Sequence, residues 1–230
     1  MISERKKNLL EIIIKEYLQT AVPVSSGALV KKYKLSFSPA TVRNEMMELE
    51  EEAFIYQPHT SAGRVPTENA YKLFLEDLIV SKKVKGLKDS EEKVLELLFT
   101  HDETSYKKTA KAIAELSKSA VFWAFHKNDL YYSGLSNLFS QPEFKQLDMV
   151  CDFSGVIDRL EDIIDESFED LKEGVQVFIG SENPFGNFLS TTLLKYKNNK
   201  QAGIFGIISL MRTDYEKNLS LVNYIKNKFK

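Results

Sequence analysis

The 230-residue chain has a single cysteine, Cys151, so no intrachain disulfide can form. A lone cysteine suits a reducing cytoplasm, which is the expected location. No apolar run approaches the roughly 20 residues that span a bilayer, which excludes a transmembrane helix. The opening MISERKK has no apolar stretch of the kind a secretory signal needs, so none is expected. Neither sign of charge is in surplus: 31 Lys and Arg against 33 Asp and Glu leave a net charge of −2. That removes any global attraction to a polyanion, and a nucleic-acid contact would have to come from local placement. Repeats and low-complexity segments are absent as well.

Groups for catalysis are equally scarce. His59, His101 and His126 are scattered, without metal-ligand spacing. Cys151 carries no nucleophile signature and is expected to be a small core residue. The carboxylates of Glu50–Glu52 and of EDIIDESFED fit solvated helix faces better than acid–base work. GSENPFG (180–186) follows an apolar strand but lacks the lysine and glycine spacing of a phosphate loop, so it reads as a strand-end turn. The expectation is a chain that is not an enzyme, with no cofactor and no metal.

What the sequence does have is a well-signalled set of N-terminal helices. Ser3 can cap a helix to about residue 19, with Leu9, Leu10, Ile13, Ile14, Tyr17 and Leu18 at helical spacing. Pro23 breaks it, and Ser25 or Ser26 can cap a short helix through GALVKKY. A third helix has Ser38 as its cap and Pro39 in its first turn, where the missing N–H costs nothing. Val42, Met46, Leu49 and Ala53 recur at spacings that make one buried face. A short apolar piece (FIY), a turn and a second short piece (RVP) follow, which are the ingredients of a winged helix-turn-helix. QPHTSAGRVPT (57–67) would then be the hairpin tip, with Gly63 permitting a tight turn, and Thr67 would cap the helix ENAYKLFLEDLIV.

SKKVKGLKDSEE shifts abruptly to charge, so residues 81–90 read as a linker between residues 1–80 and 91–230. Beyond it, SEEKVLELLF, YKKTAKAIAELSKS, DRLEDIIDESFEDLK and DYEKNLSLVNYIKNKF read as helices. AVFWAF and DLYYSGL, with HKN between them, read as a strand hairpin, and VQVFIG, STTLLKYK and AGIFGIISL as three more strands. Strands with helices on one side point to an α+β domain.

The third helix would present Ser38, Thr41, Arg43 and Asn44 near its N-terminus, where a groove-inserted helix reads bases and free N–H groups favour phosphate. Arg pairs with guanine edges, Asn with adenine, and Thr with phosphate or the thymine methyl. Lys31, Lys32 and Lys34 stand where backbone contacts would be made. On the wing, His59, Thr60 and Ser61 could meet a DNA backbone, and Arg64 a phosphate or the minor groove. The competing reading is a three-helix packing module with solvated polar residues.

PVSSGALVKKYKLSFSPATVRNEMMELEEEAFIYQPHTSAGRVPTENAYKLFLEDL resembles the N-terminal region of the heat-inducible transcription repressor family HrcA. The combination of SPATxRN with PHTSAGRxPT is specific to it. GLSNLFSQPEF (134–144), VQVFIGSENPF (175–185) and GIFGIISLMRTDYEKNLSLVNYI (203–225) resemble later segments of the same family. The resemblance implies a winged helix-turn-helix followed by a GAF-like α+β domain, and a homodimer binding an inverted-repeat operator in double-stranded DNA. It also implies repression of heat-shock (chaperone) genes, and chaperonin as a partner. A GAF-like ligand sensor or interaction protein carrying a winged-helix module is the alternative.

Three departures are visible. Family members are longer, and the shortfall falls between AVFWAF and DLYYSGL, where others carry an inserted dimerisation segment. Gly27 stands where the family usually has arginine. LMRTDY replaces a related motif but keeps Arg212, Asp214 and Tyr215.

Overall fold

The computed structural model describes residues 2–100, 102–126, 129–197 and 202–229, and the chain parts into two compact units between Lys82 and Lys83. His101, the side chain of His126 and residues 127–128 of the HKN turn lie outside the described residues.

In the first unit, α1 (Glu4–Thr20) starts at Ser3, whose hydroxyl accepts from the Lys6 amide, and buries Leu9, Leu10, Ile13 and Ile14. The short α2 (Ser26–Tyr33) is capped by Ser25 and buries Leu29. Ser38 caps α3 (Pro39–Glu51), which buries Val42, Met46 and Leu49. Two antiparallel strands follow, β1 (Ile55–Tyr56) and β2 (Val65–Pro66), with Ile55 opposite Pro66. Thr67 then caps α4 (Glu68–Val80) and donates its hydroxyl to the carbonyls of Ala53 and Phe54. One expectation fails here. Ala53 is exposed, because α3 stops at Glu51 and the chain turns through a left-handed Ala53 (φ 59°) so that the Phe54 amide can reach the Leu49 carbonyl at 2.9 Å.

The second unit is a mixed helix-and-sheet fold, as expected of an α+β chain. Two helices, α5 (Asp89–Leu98) and α6 (Glu103–Ser117), lead into β3 (Ala120–His126) and β4 (Asp129–Ser133). Three helices come next, α7 (Leu135–Phe139), α8 (Leu147–Asp158) and α9 (Leu160–Asp170). The unit closes with β5 (Gly174–Ile179), β6 (Leu189–Lys197), β7 (Ala202–Leu210) and α10 (Tyr215–Lys228). The five strands form one sheet in the order β4-β3-β7-β6-β5, antiparallel at each pairing. Much of the charged 81–90 stretch belongs to this unit: the Lys85 amide donates to Glu216, and its carbonyl accepts from Ser220.

Helices cover both faces of that sheet, not one. Val121, Trp123, Leu194, Tyr196, Phe205 and Ile207 pack against α5, α6 and α10. Their neighbours Ala120, Phe122, Ala124, Leu193, Ile204 and Ile208 pack against α7, α8 and α9. Alternate strand residues thus enter different cores, which is why β7 is a continuous apolar run with little alternation. Cys151 corrects a second expectation: it is exposed on α8, because that helix turns Phe153 and Val156 inward and leaves Cys151 on the opposite side.

The polar residues of the C-terminal motifs hold this unit together. The Arg212 guanidinium donates to both Glu143 oxygens, at 2.5 and 2.9 Å, and to Gln141 at 2.9 Å. Asp214 caps α10, and the buried Tyr215 hydroxyl donates to the Met211 carbonyl. Asn137 donates to the Ala114 and Ser119 carbonyls. In the turn after β5, the Asn183 side-chain oxygen Oδ1 accepts from the Phe185 amide and the Thr191 hydroxyl, as a strand-end turn would require.

Candidate nucleic-acid interface

The N-terminal half of α3 is where the candidate residues meet. Val42, Met46 and Leu49 are fixed in the core, so the opposite side must face solvent, and Arg43 and Asn44 stand exposed there beside Met47 and Glu48. Ser38 and Thr41 are less free. The Thr41 amide donates to the Ser38 hydroxyl at 3.1 Å, and the two hydroxyls lie 2.9 Å apart. Ser38 is therefore engaged in capping the helix, which satisfies an otherwise open N–H. Lys31 and Lys32 are both exposed on α2. Lys32 reaches Glu16 at 2.6 Å, while Tyr33 donates to the same carboxylate. These partners hold the Glu16 carboxyl below its usual range, Lys32 being the larger cause.

The chain after β1 forms a braced tip. Gln57 donates through Nε2 to the carbonyls of Thr60 (3.0 Å) and Ala62 (2.8 Å), and the Ala62 amide closes onto the His59 carbonyl. That leaves the side chains of His59, Thr60 and Ser61 exposed. Sequence reasoning missed Gln57, because a glutamine next to a strand carries no signal until the turn's open carbonyls are seen. It also mistook the role of Gly63, whose φ is not positive. Instead, a β-carbon there would lie 2.4 Å from the Val24 carbonyl oxygen, so glycine permits two backbones to pass. Val24 and Arg64 form an antiparallel bridge beside it, each amide 2.8 Å from the other's carbonyl.

Arg64 does not extend outward with its neighbours. Its guanidinium Nη2 lies 2.8 Å from a Glu50 oxygen, and the side chain is only 16% exposed. Two more acids at the end of α3 are also engaged: Glu48 and Glu52 meet Lys6 at 2.8 and 2.7 Å, raising the Lys6 ammonium above the ordinary lysine range. Glu50 and Glu52 are thus in ion pairs and do not simply form a solvated face. Between α3, the turn at Val24–Ser26 and the hairpin tip lies a cleft of about 400 Å³, with Arg43, Met46 and Arg64 among its walls. Among the described residues, no group of three or more His, Cys, Asp and Glu could hold a metal ion, and no helix is long and apolar enough to cross a membrane.

Known proteins resemble the chain over most of its length. The family described as "HrcA protein C terminal domain" matches residues 37–219. The "Heat-inducible transcription repressor HrcA" of Geobacter sulfurreducens is 52% identical over 83 residues, which are 36% of this chain and 24% of that protein. The protein of the same description from Thermobifida fusca is 34% identical over 183 residues, covering 75% of this chain and 52% of the relative. In Carboxydothermus hydrogenoformans the identity is 25%, covering 98% of this chain and 96% of the other. That alignment runs over 329 positions against the 230 residues here, so the relative carries segments this chain lacks. A crystal structure described as a hypothetical protein has the same fold, with a TM-score of 0.85 at 19% identity over 100% of this chain and 98% of that one.

Proposed function

The chain belongs to the HrcA family, and on that premise we propose that it is a sequence-specific DNA-binding transcriptional repressor of heat-shock (chaperone) genes, active in the cytoplasm. In this reading the first unit is a winged helix-turn-helix and the second a GAF-like domain lacking an inserted dimerisation segment. The chain acts as a homodimer on an inverted-repeat operator, and chaperonin is its regulatory partner. The observation that carries the reading is the outward face of α3: Arg43 and Asn44 are exposed near the helix N-terminus while Val42, Met46 and Leu49 hold the other face in the core.

In a major groove, the α3 N-terminus brings Arg43 and Asn44 to base edges and the Ala40 amide, with the Ser38 and Thr41 hydroxyls, to phosphate. Lys31 and Lys32 contact the sugar-phosphate backbone, which sets register but carries no sequence information. His59, Thr60 and Ser61 at the braced tip reach the flanking backbone.

The test is selection of a duplex by the native chain from a pool of randomised inverted repeats, then titration against the enriched sequence and its scramble. Specific enrichment is expected. Replacing Arg43 with Ala is expected to cost roughly 1–3 kcal/mol of binding and relax preference at one base position. Equal affinity of the native chain for the enriched and scrambled duplexes would refute a specific repressor.

A further inference from the structure

We infer that Arg64 is a positioning residue, not a DNA contact: its ion pair with Glu50 sets the hairpin tip at a fixed angle to the helix that carries Arg43 and Asn44. The inference rests on the proposed DNA-binding reading and reassigns one of its residues.

Arg64 is fastened at both ends. Its backbone is bridged to Val24 by two 2.8 Å hydrogen bonds, which hold the return limb of the hairpin against the turn between α1 and α2. Its side chain runs to Glu50 in the last turn of α3. Gly63 allows this approach, because any side chain there would strike the Val24 carbonyl. Three elements therefore converge on one residue: the hairpin, the α1–α2 turn and α3.

The guanidinium is also poorly placed for phosphate. Its Nε is buried with no hydrogen-bond partner among the described residues, and Nη2 already has a carboxylate at 2.8 Å. Arg43 on α3, by contrast, is exposed to solvent. Gln57 completes the device by fixing the shape of the tip, while Arg64 and Glu50 fix its direction.

The experiment compares Arg64→Gln, Glu50→Gln and the double variant in the full chain, using the duplex enriched by the native protein. Affinity is measured at several salt concentrations, and amide hydrogen exchange at Val24 and Arg64 is followed without DNA. Each single variant is expected to bind about tenfold more weakly, the double no worse than either, because both remove the same link. The salt slope is expected to stay at the native value, whereas loss of a phosphate contact would lower it by about one. Exchange at Val24 and Arg64 should quicken in all three.

Glu50→Gln binding as tightly as the native chain, or more tightly, would overturn the inference, since freeing a DNA-contacting arginine cannot weaken binding. A reduced salt slope in Arg64→Gln alone would do so too. So would variants that unfold more easily yet bind with native affinity once folded, which would mark a purely structural pair. Failure of the DNA reading itself is a separate result: the native chain would not distinguish enriched from scrambled duplex, while exchange would still report whether the link holds the hairpin.

Discussion

A β-carbon at Gly63 would lie 2.4 Å from the Val24 carbonyl oxygen and 2.5 Å from its carbon, distances that only a backbone shift can relieve. Gly63→Ala is therefore expected to destabilise the first unit by about 1–3 kcal/mol, as overpacking does. The control is Gly27→Ala in α2, where nothing lies within 4 Å and alanine should be neutral or stabilising by about 0.5–1 kcal/mol. Denaturant titration of both variants checks this, and equal stability of Gly63→Ala and the native chain would remove the close-approach account. A sequence alone identifies this glycine as important without giving the reason. The expected cause was a tight turn, but the observed cause is a neighbour about forty residues back in the chain, which no local pattern reports.

The same distinction holds for whole elements. Helix α3, its Ser38 cap and its buried face were legible because capping residues and 3.6-residue periodicity are local. Helix α8 was not read, since Gly155 and the exposed Leu147 blur the stripe made by Phe153 and Val156. Nor could the strands reveal that helices cover both sheet faces: the alternation that marks a solvated face is missing from β7, and a continuous apolar run does not say what covers it. One face carries a chemical signature of its own. Tyr196 on β6 accepts a hydrogen bond from the Trp123 indole at 2.9 Å, and Tyr215 and Tyr224 on α10 are also buried. Burial pushes all three hydroxyls up, Tyr224 to about 12, with help from Glu96 and Glu92. In the unfolded chain they lose their protons near pH 10. Their raised folded values therefore support stability below about pH 10, and that support is lost as pH rises through the folded values. Trp123 is the chain's one tryptophan and sits in this core, so its fluorescence follows the second unit. Denaturation midpoints should fall steeply above about pH 10. Tyr196→Phe should be less stable at pH 8, with the Trp123 N–H unpaired, yet lose less on going to pH 11. A flat profile in the native chain would show that these hydroxyls titrate alike in both states.

At the scale of the molecule, the net charge of −2 offers no global attraction to DNA, so under the proposed function affinity would come from well-placed contacts used twice. Two copies joined through the rest of the chain would engage half-sites separated by one or more helical turns, about 34 Å each. The second half-site is then met at a high effective concentration, which raises affinity by about a hundredfold or more without any new contact. The full chain should bind the enriched inverted repeat at least about a hundredfold more tightly than a duplex with one half scrambled. Residues 1–82 alone, the span of the first compact unit, should show little difference between the two duplexes. Sizing of the free full chain at the same concentrations should report a dimer. If the full chain binds the intact and half-scrambled duplexes equally and elutes as a monomer, one copy makes all the contacts and the paired-operator reading fails. If it elutes as a dimer but gains nothing from the second half-site, its joining geometry does not match the repeat, and the enriched spacing is then the quantity to vary.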